Sequence, residues 1–180
     1  MKKLENKVAL ITGGAGSIGK ATAQFLLAQG ASVMLVDIEE HALRRVVEEL
    51  NSPLLRYCLA DVSHLGEVAA YVQETVSQLG KIDIFLNNAG IMGAVKPIED
   101  FPEEIFDRVM AVNVKGVWLG CKYVLPQMNN GGSLIITSSM SGLYGTPNFS
   151  GYITSKHAVI GIMRRPGIRG RAPQNTGQHN

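Results

Sequence analysis

The 180-residue chain contains only two cysteines and no apolar run of about 18 residues, the length that a membrane-spanning helix needs. Cys58 lies in a predicted strand and Cys121 in a predicted helix. Their apolar neighbours favour reduced core cysteines over a disulfide or a metal site. The N-terminus is charged and has no apolar stretch of signal-peptide length before the first glycine cluster. We therefore predict a cytoplasmic protein with no membrane partner.

Net charge is also small, because 17 Lys and Arg residues face 15 Asp and Glu residues to give +2. This balance provides no electrostatic reason to expect a nucleic-acid partner. No group of potential ligands has metal-ligand spacing, so we expect no metal. Apolar residues make up 46% of the chain and charged residues 18%, which fits one globular domain of this length. The basic residues nearest the C-terminus are Arg164, Arg165, Arg169 and Arg171.

Five short apolar runs lack polar alternation, which is typical of strands buried on both faces. They are residues 8–12, 33–37, 54–59, 82–87 and 134–138. Helix-spaced apolar residues occupy 18–29, 39–50, 65–79 and 102–127, and a further helix begins near residue 151. Strands and helices that alternate in this way predict an α/β fold, a doubly wound parallel sheet with helices on both faces.

A glycine-rich turn joins the first predicted strand to the first predicted helix. Within residues 12–19, Gly14, Gly16 and Gly19 fit the dinucleotide fingerprint Gly-x-Gly-x-x-Gly. Glycines let the backbone turn tightly and approach a pyrophosphate, whose charge then lies at a helix N-terminus. The preceding strand, the following helix and an acidic residue after the second strand strengthen the interpretation. The expected cofactor-binding residues of this loop are Gly13, Gly14, Gly16, Ser17, Ile18 and Gly19.

Asp37, at the end of the second predicted strand, indicates which dinucleotide binds. Its carboxylate would accept hydrogen bonds from the adenosine ribose and would repel a 2′-phosphate. Neighbouring Ile38 supplies no cation to offset that repulsion. NAD is therefore favoured as cofactor over NADP. The alternative is a solvated carboxylate at a strand end with no role in binding.

Tyr152 and Lys156 form a Tyr-x-x-x-Lys pair downstream of Ser139. Four residues apart on a helix, the two side chains share one face. Carbonyl reduction needs a hydride, which a nicotinamide cofactor carries, and a proton, which the protein must deliver. A tyrosine hydroxyl can deliver it, and the lysine charge would favour the tyrosinate left behind. Considered alone, Ser139 is typical of a turn and Asn113 of a buried amide.

With these motifs in order, residues 5–163 resemble the short-chain dehydrogenase/reductase family. Ser17 is one departure, since the family usually has its middle glycine there. The resemblance implies a Rossmann-type fold, an NAD-dependent reaction on a secondary alcohol or ketone, and a homodimer or homotetramer. It also implies further cofactor contacts by Asp61 and Val62 after the third strand and by Asn88, Ala89 and Gly90 after the fourth.

The resemblance implies four catalytic residues as well. Tyr152 would be the general acid or base. Lys156 would assist it and bond the nicotinamide ribose, so that both residues also belong to the cofactor site. Ser139 would hold the substrate oxygen, and Asn113 would position a water that links the lysine to solvent.

The family pattern continues well beyond its catalytic lysine, and this chain does not. We therefore expect a C-terminally truncated sheet, incomplete at its C-terminal edge. We expect residues 1–165 to form one NAD-binding domain with the catalytic residues. Residues 166–180 are expected to be a disordered tail, with a basic anion- or nucleic-acid-binding arm as the alternative. The chain would then be either an oxidoreductase or a nucleotide-binding fragment without turnover, and a chain with no stable fold is a third possibility.

Overall fold

The computed structural model describes residues 2–164, in which five strands form one parallel sheet. The strand order is β3-β2-β1-β4-β5. The strands are β1 (Val8–Thr12), β2 (Ser32–Asp37), β3 (Leu55–Leu59), β4 (Ile82–Asn87) and β5 (Met128–Ile136). The predicted parallel α/β sheet is thereby confirmed. The expected disordered tail, residues 166–180, and Arg165 before it lie outside the described residues.

The fifth strand differs from its predicted bounds, because it begins at Met128 rather than at residue 134. Met128 pairs with Ile82 of β4, and the four residues after it are asparagines and glycines, which carry no apolar signal. The register shifts between Ile82 and Ile84, which is where the polar half of β5 joins the apolar half. β5 is an edge of the described sheet, and Ile135 on it is 47% exposed.

Helices connect the strands and cover both faces of the sheet. They are α1 (Ser17–Ala28), α2 (Glu40–Leu50), α3 (Leu65–Leu79), α4 (Glu103–Met110), α5 (Val117–Val124) and α6 (Ser150–Met163). The helix predicted over residues 102–127 is a continuous helical run, but a π-helical segment, Ala111–Gly116, separates α4 from α5. A π-helical turn places side chains differently from an α-helix and is frequent at functional sites.

Alternate residues of the buried strands supply two apolar layers, as the two-residue period of a strand requires. Ile11 of β1 belongs to the layer under α1 and α2, together with Leu26 and Leu43. Its neighbour Leu10 faces the opposite layer, under α3 and α5, together with Tyr71. Because all five residues of β1 are buried, this strand is the centre of the core.

Candidate functional site

The glycines after β1 have different structural reasons for lacking a side chain. Gly13 has φ of +65°, a left-handed conformation that favours glycine. A Cβ on Gly14 would lie 2.8 Å from the Leu35 side chain, and one on Gly19 would overlap the carbonyl oxygen of Gly13. A Cβ on Gly16 would meet only that oxygen, at 3.4 Å. Gly14 and Gly19 are therefore needed for packing, whereas Gly16 faces open space.

Asp37 holds this loop in place. Its Oδ2 accepts a hydrogen bond from the Ala15 N–H at 3.0 Å, and its Oδ1 accepts from the N–H groups of Ile38 and Glu39 at 2.8 and 3.2 Å. The carboxylate thus joins the glycine loop to the start of the segment after β2. The sequence suggested either a ribose-binding carboxylate or a solvated one at a strand end, and this loop-holding role is a third. Asp37 also lines a cleft.

That cleft lies where the strand order reverses, between the carboxyl ends of β1 and β4, which is where doubly wound sheets bind ligands. The first cleft has a volume of about 270 Å³. Nine of the predicted cofactor-binding residues line it: Gly13, Gly16, Asp37, Ile38, Asp61, Val62, Asn88, Ala89 and Gly90. Arg108 of α4, which the sequence did not indicate, lines it as well.

A second cleft, of about 460 Å³, adjoins the first. The residues common to both are Gly16, Asn88, Gly90 and Ile91. The second cleft is also lined by Ser17, Ile18, Met92, Thr137, Ser138, Ser139, Tyr152 and Lys156. The structure therefore brings three of the four predicted catalytic residues together beside the glycine loop. Of the predicted site residues, Gly14, Gly19 and Asn113 line neither cleft.

Lys156 is almost completely buried, with 3% of its surface exposed. Its Nζ donates a hydrogen bond to the Thr137 carbonyl oxygen at 3.2 Å and lies 5.5 Å from the centre of the Tyr152 ring. Burial lowers the pKa of Lys156, because the ammonium loses solvation there. The lysine charge is thus held at the second cleft, next to the tyrosine.

Ser139 has both of the properties considered from the sequence. Its Oγ accepts a hydrogen bond from the Ser141 N–H at 3.1 Å and so caps the short 3₁₀ helix Met140–Gly142. The same residue lines the second cleft. A turn role and a place beside a bound substrate are therefore compatible for this hydroxyl.

Asn113 is fully buried in the π-helical segment. Its Oδ1 accepts from the Ile91 N–H, and its Nδ2 donates to the Ile91 carbonyl, both at 2.8 Å. Nδ2 also donates to Ser155 Oγ at 3.0 Å. The side chain therefore satisfies buried backbone groups, as the amide alternative predicted, and it fixes a residue that lines both clefts.

Asn88 connects three strand ends, and two of its partners, Thr12 and Thr137, were not among the predicted site residues. Its backbone N–H donates to Thr12 Oγ1 at 3.0 Å, and its Nδ2 donates to the carbonyl oxygens of Thr12 and Gly13 at 3.2 and 3.4 Å. Its Oδ1 accepts from Thr137 Oγ1 at 3.0 Å. The sequence signal for these partners was their position: Thr12 ends the apolar strand β1, and Thr137 directly follows the apolar end of β5.

The charges in the first cleft are an acidic pair and one arginine. Burial by itself would raise the pKa of Asp61, but hydrogen bonds from Ser63 and the charges of His64 and Arg108 lower it. Arg108 and Asp61 line the same cleft. No group of three His, Cys, Asp or Glu residues within 2–164 could hold a metal ion. In the same range, no helix combines the length and apolar character needed to cross a membrane.

Comparison with known proteins identifies one family and several related enzymes. A family model described as short chain dehydrogenase matches residues 7–167. Levodione reductase of Leifsonia aquatica is 40% identical over 172 residues, which are 92% of this chain and 64% of that enzyme. Cyclohexanol dehydrogenase of an Acinetobacter species is 38% identical over 167 residues, which are 90% of this chain and 66% of that enzyme.

Solved structures have the same fold. The crystal structure of levodione reductase matches with a TM-score of 0.86 at 40% identity, covering 90% of this chain and 65% of that one. NAD⁺-bound xylitol dehydrogenase matches with a TM-score of 0.85 at 39% identity, covering 89% and 64%. A Shigella flexneri short chain dehydrogenase complexed with NADP matches with a TM-score of 0.84 at 28% identity, covering 90% and 71%. The chain spans about 64% of the length of levodione reductase. With the family model matched from β1 to the end of α6, the chain belongs to the short chain dehydrogenase family.

Proposed function

We propose that the chain is an oxidoreductase that transfers a hydride between NAD(H) and a secondary alcohol or ketone, with Tyr152 as general acid or base. The observation that carries the proposal is the junction of the two clefts. Gly16 and Gly90 line both, so one extended ligand can contact the glycine loop and reach Tyr152 and Lys156. A dinucleotide has this extended shape.

The first cleft fits the adenosine half of the cofactor. Asp37 places a carboxylate at the end of β2, and Ile38 beside it is 53% exposed and apolar. A 2′-phosphate would meet the Asp37 charge. Relatives of known structure include complexes with NAD⁺ and with NADP. The proposal of NAD therefore rests on residue 37.

The second cleft fits the reacting groups. A bound nicotinamide supplies or accepts the hydride. In reduction, the Tyr152 hydroxyl gives its proton to the substrate oxygen, and in oxidation the tyrosinate takes that proton back. Lys156, held by Thr137, favours the tyrosinate through its charge. Ser139 holds the substrate oxygen in position, and Asn113 acts from outside the cleft.

A neutral substrate suits this site. Lys156 is the one charged residue among those that line the second cleft within the described chain, and it is committed to Thr137 and Tyr152. Ile91 and Met92 supply apolar surface. A neutral cyclic ketone or alcohol fits better than a carboxylic acid, and relatives named levodione reductase and cyclohexanol dehydrogenase support that class.

A homo-oligomer is part of the proposal. Trp118 of α5 and Phe106 of α4 lie on one helical run and are 46% and 36% exposed. A second copy of the chain would cover them. Sedimentation of the wild-type chain beside Trp118→Lys measures this: a monomeric wild type contradicts the assembly.

The first experiment is a fluorescence titration of the purified, monodisperse chain with NADH and with NADPH. Tight NADH binding and weak NADPH binding are expected, and Asp37→Ala should reduce the preference. Turnover is then measured with cyclohexanol and cyclohexanone for wild type and Tyr152→Phe, which keeps the ring and loses the proton donor. The variant should lose most of the rate.

A nucleotide-binding fragment without turnover is the second candidate, because the chain spans less than two thirds of levodione reductase. NADH binding without any rate in the wild-type chain would favour it. Absence of both binding and turnover in a monodisperse sample would contradict both candidates.

A further inference from the structure

We propose that Ser155 is a positioning residue, which joins the wall of the cofactor cleft to the helix that carries Tyr152 and Lys156. The inference rests on the proposed function and adds a residue to it. Ser155 lines neither cleft, so it would act through the residues that it contacts.

The hydrogen bonds around Ser155 permit one assignment of protons. The Ile91 N–H can only donate, so the oxygen of the Asn113 amide must face it, and Nδ2 then faces Ser155. Ser155 Oγ therefore accepts from Asn113 at 3.0 Å. Its own proton remains free to be donated to the Tyr152 carbonyl oxygen, which lies 2.7 Å away. A hydroxyl is needed here because it donates and accepts at once.

Burial makes the hydroxyl difficult to replace by solvent. Ser155 and Asn113 both have no exposed surface. Without the hydroxyl, one N–H of the Asn113 amide would lose its partner in the interior, which is costly. The helix that carries Tyr152 would then shift relative to Asn113, while the two hydrogen bonds between Asn113 and Ile91 remain.

Both ends of this connection line the second cleft. Ile91 lines both clefts, and Tyr152 lines the second. The path from Ile91 through Asn113 and Ser155 to the Tyr152 backbone therefore determines how far the tyrosine stands from the cofactor wall. Hydride transfer and proton transfer share one substrate, so a shift of about 1 Å between these walls can cost about 100-fold in rate.

The test compares wild type, Ser155→Ala and Ser155→Thr for kcat, KM and NADH affinity. Ser155→Ala should lower kcat by about 10- to 100-fold. NADH affinity should remain within about threefold, because Asn113 still holds Ile91 through two bonds of 2.8 Å. Ser155→Thr keeps the hydroxyl and should recover most of kcat. If Ser155→Ala does not fold, Ser155→Cys replaces it, since a thiol has similar shape and is a weak donor; its kcat should also fall.

Thr75→Val is the matched control. Thr75 is equally buried, and its Oγ1 donates to a carbonyl of its own helix, that of Tyr71, at the same 2.7 Å. It should lose stability and keep kcat. If Ser155→Ala keeps the wild-type kcat, the inference is wrong and the proposed function stands. The same holds if Ser155→Ala and Thr75→Val lose kcat equally. A wild-type chain without turnover would overturn the proposed function and the inference with it.

Discussion

An added methyl group should change stability little at Gly16, the N-cap of α1, and reduce it at Gly19, in the first turn of the same helix. At Gly16, φ is −74° and ψ is 164°, a conformation that alanine adopts freely. Its new Cβ would have one neighbour within 4 Å, the Gly13 carbonyl oxygen at 3.4 Å. At Gly19 the Cβ would overlap that oxygen and lie 2.9 Å from the Gly14 Cα, and neither backbone atom can move independently.

The magnitudes follow from these surroundings. Replacing glycine by alanine in a compatible conformation stabilises by about 0.4–1 kcal/mol through the unfolded chain. Gly16 is also the N-cap of α1, where alanine is less favourable than glycine, so the two effects oppose each other. We expect the free energy of unfolding of Gly16→Ala to stay within about 1 kcal/mol of wild type. Overpacking should reduce that of Gly19→Ala by about 3 kcal/mol.

At Gly16 the added methyl group should affect NADH affinity more than it affects the free energy of unfolding. Because this residue lines both clefts, its methyl group would stand where a dinucleotide crosses between them. NADH affinity of Gly16→Ala should fall at least about tenfold, equivalent to about 1.4 kcal/mol. Urea unfolding followed by Trp118 fluorescence gives the stabilities, and NADH titration gives the affinities. A stable Gly16→Ala chain that binds NADH like wild type would refute the placement of the cofactor across this junction.

Three further predictions concern stability. The Tyr71 hydroxyl is buried with no hydrogen-bond partner within residues 2–164. Tyr71→Phe should therefore raise the free energy of unfolding by about 1 kcal/mol, and the control Tyr123→Phe should not. A lower free energy of unfolding for Tyr71→Phe in urea would contradict this. Burial alone would raise the pKa of Asp83, but the hydrogen bonds that it accepts lower it, so its stabilising effect exists above its unfolded pKa and disappears as pH falls. Asp83→Asn should therefore cost about 1–3 kcal/mol at pH 7 and less in acid, whereas exposed Asp107→Asn should cost little. Burial lowers the pKa of Lys156 in the folded chain below its unfolded value. Between these two pKa values the unfolded chain binds more protons, so wild type should gain stability relative to Lys156→Met as pH rises through that range. A difference in melting temperature that does not change with pH would contradict this.

Much of the fold was readable because parallel strands buried on both faces are continuous apolar runs. β1 and β4 have the predicted bounds. β5 was only half predicted, since Met128 pairs with Ile82 of β4 but the asparagines and glycines that follow it carry no apolar signal. Backbone hydrogen bonds form whatever the polarity of the side chains, so this half of the strand is recognised only from its pairing with the neighbouring strand.

The sequence by itself determined the glycine spacing, the acidic residue after β2 and the Tyr152–Lys156 pair, because each depends on residues close together along the chain. Tertiary structure decided what distant residues do to one another. Asn113 and Ser155 are 42 residues apart and share a hydrogen bond, and Asn88 and Thr137 are 49 apart and share another. Local periodicity contains no information about such pairs, because packing of helices on the sheet sets their distance.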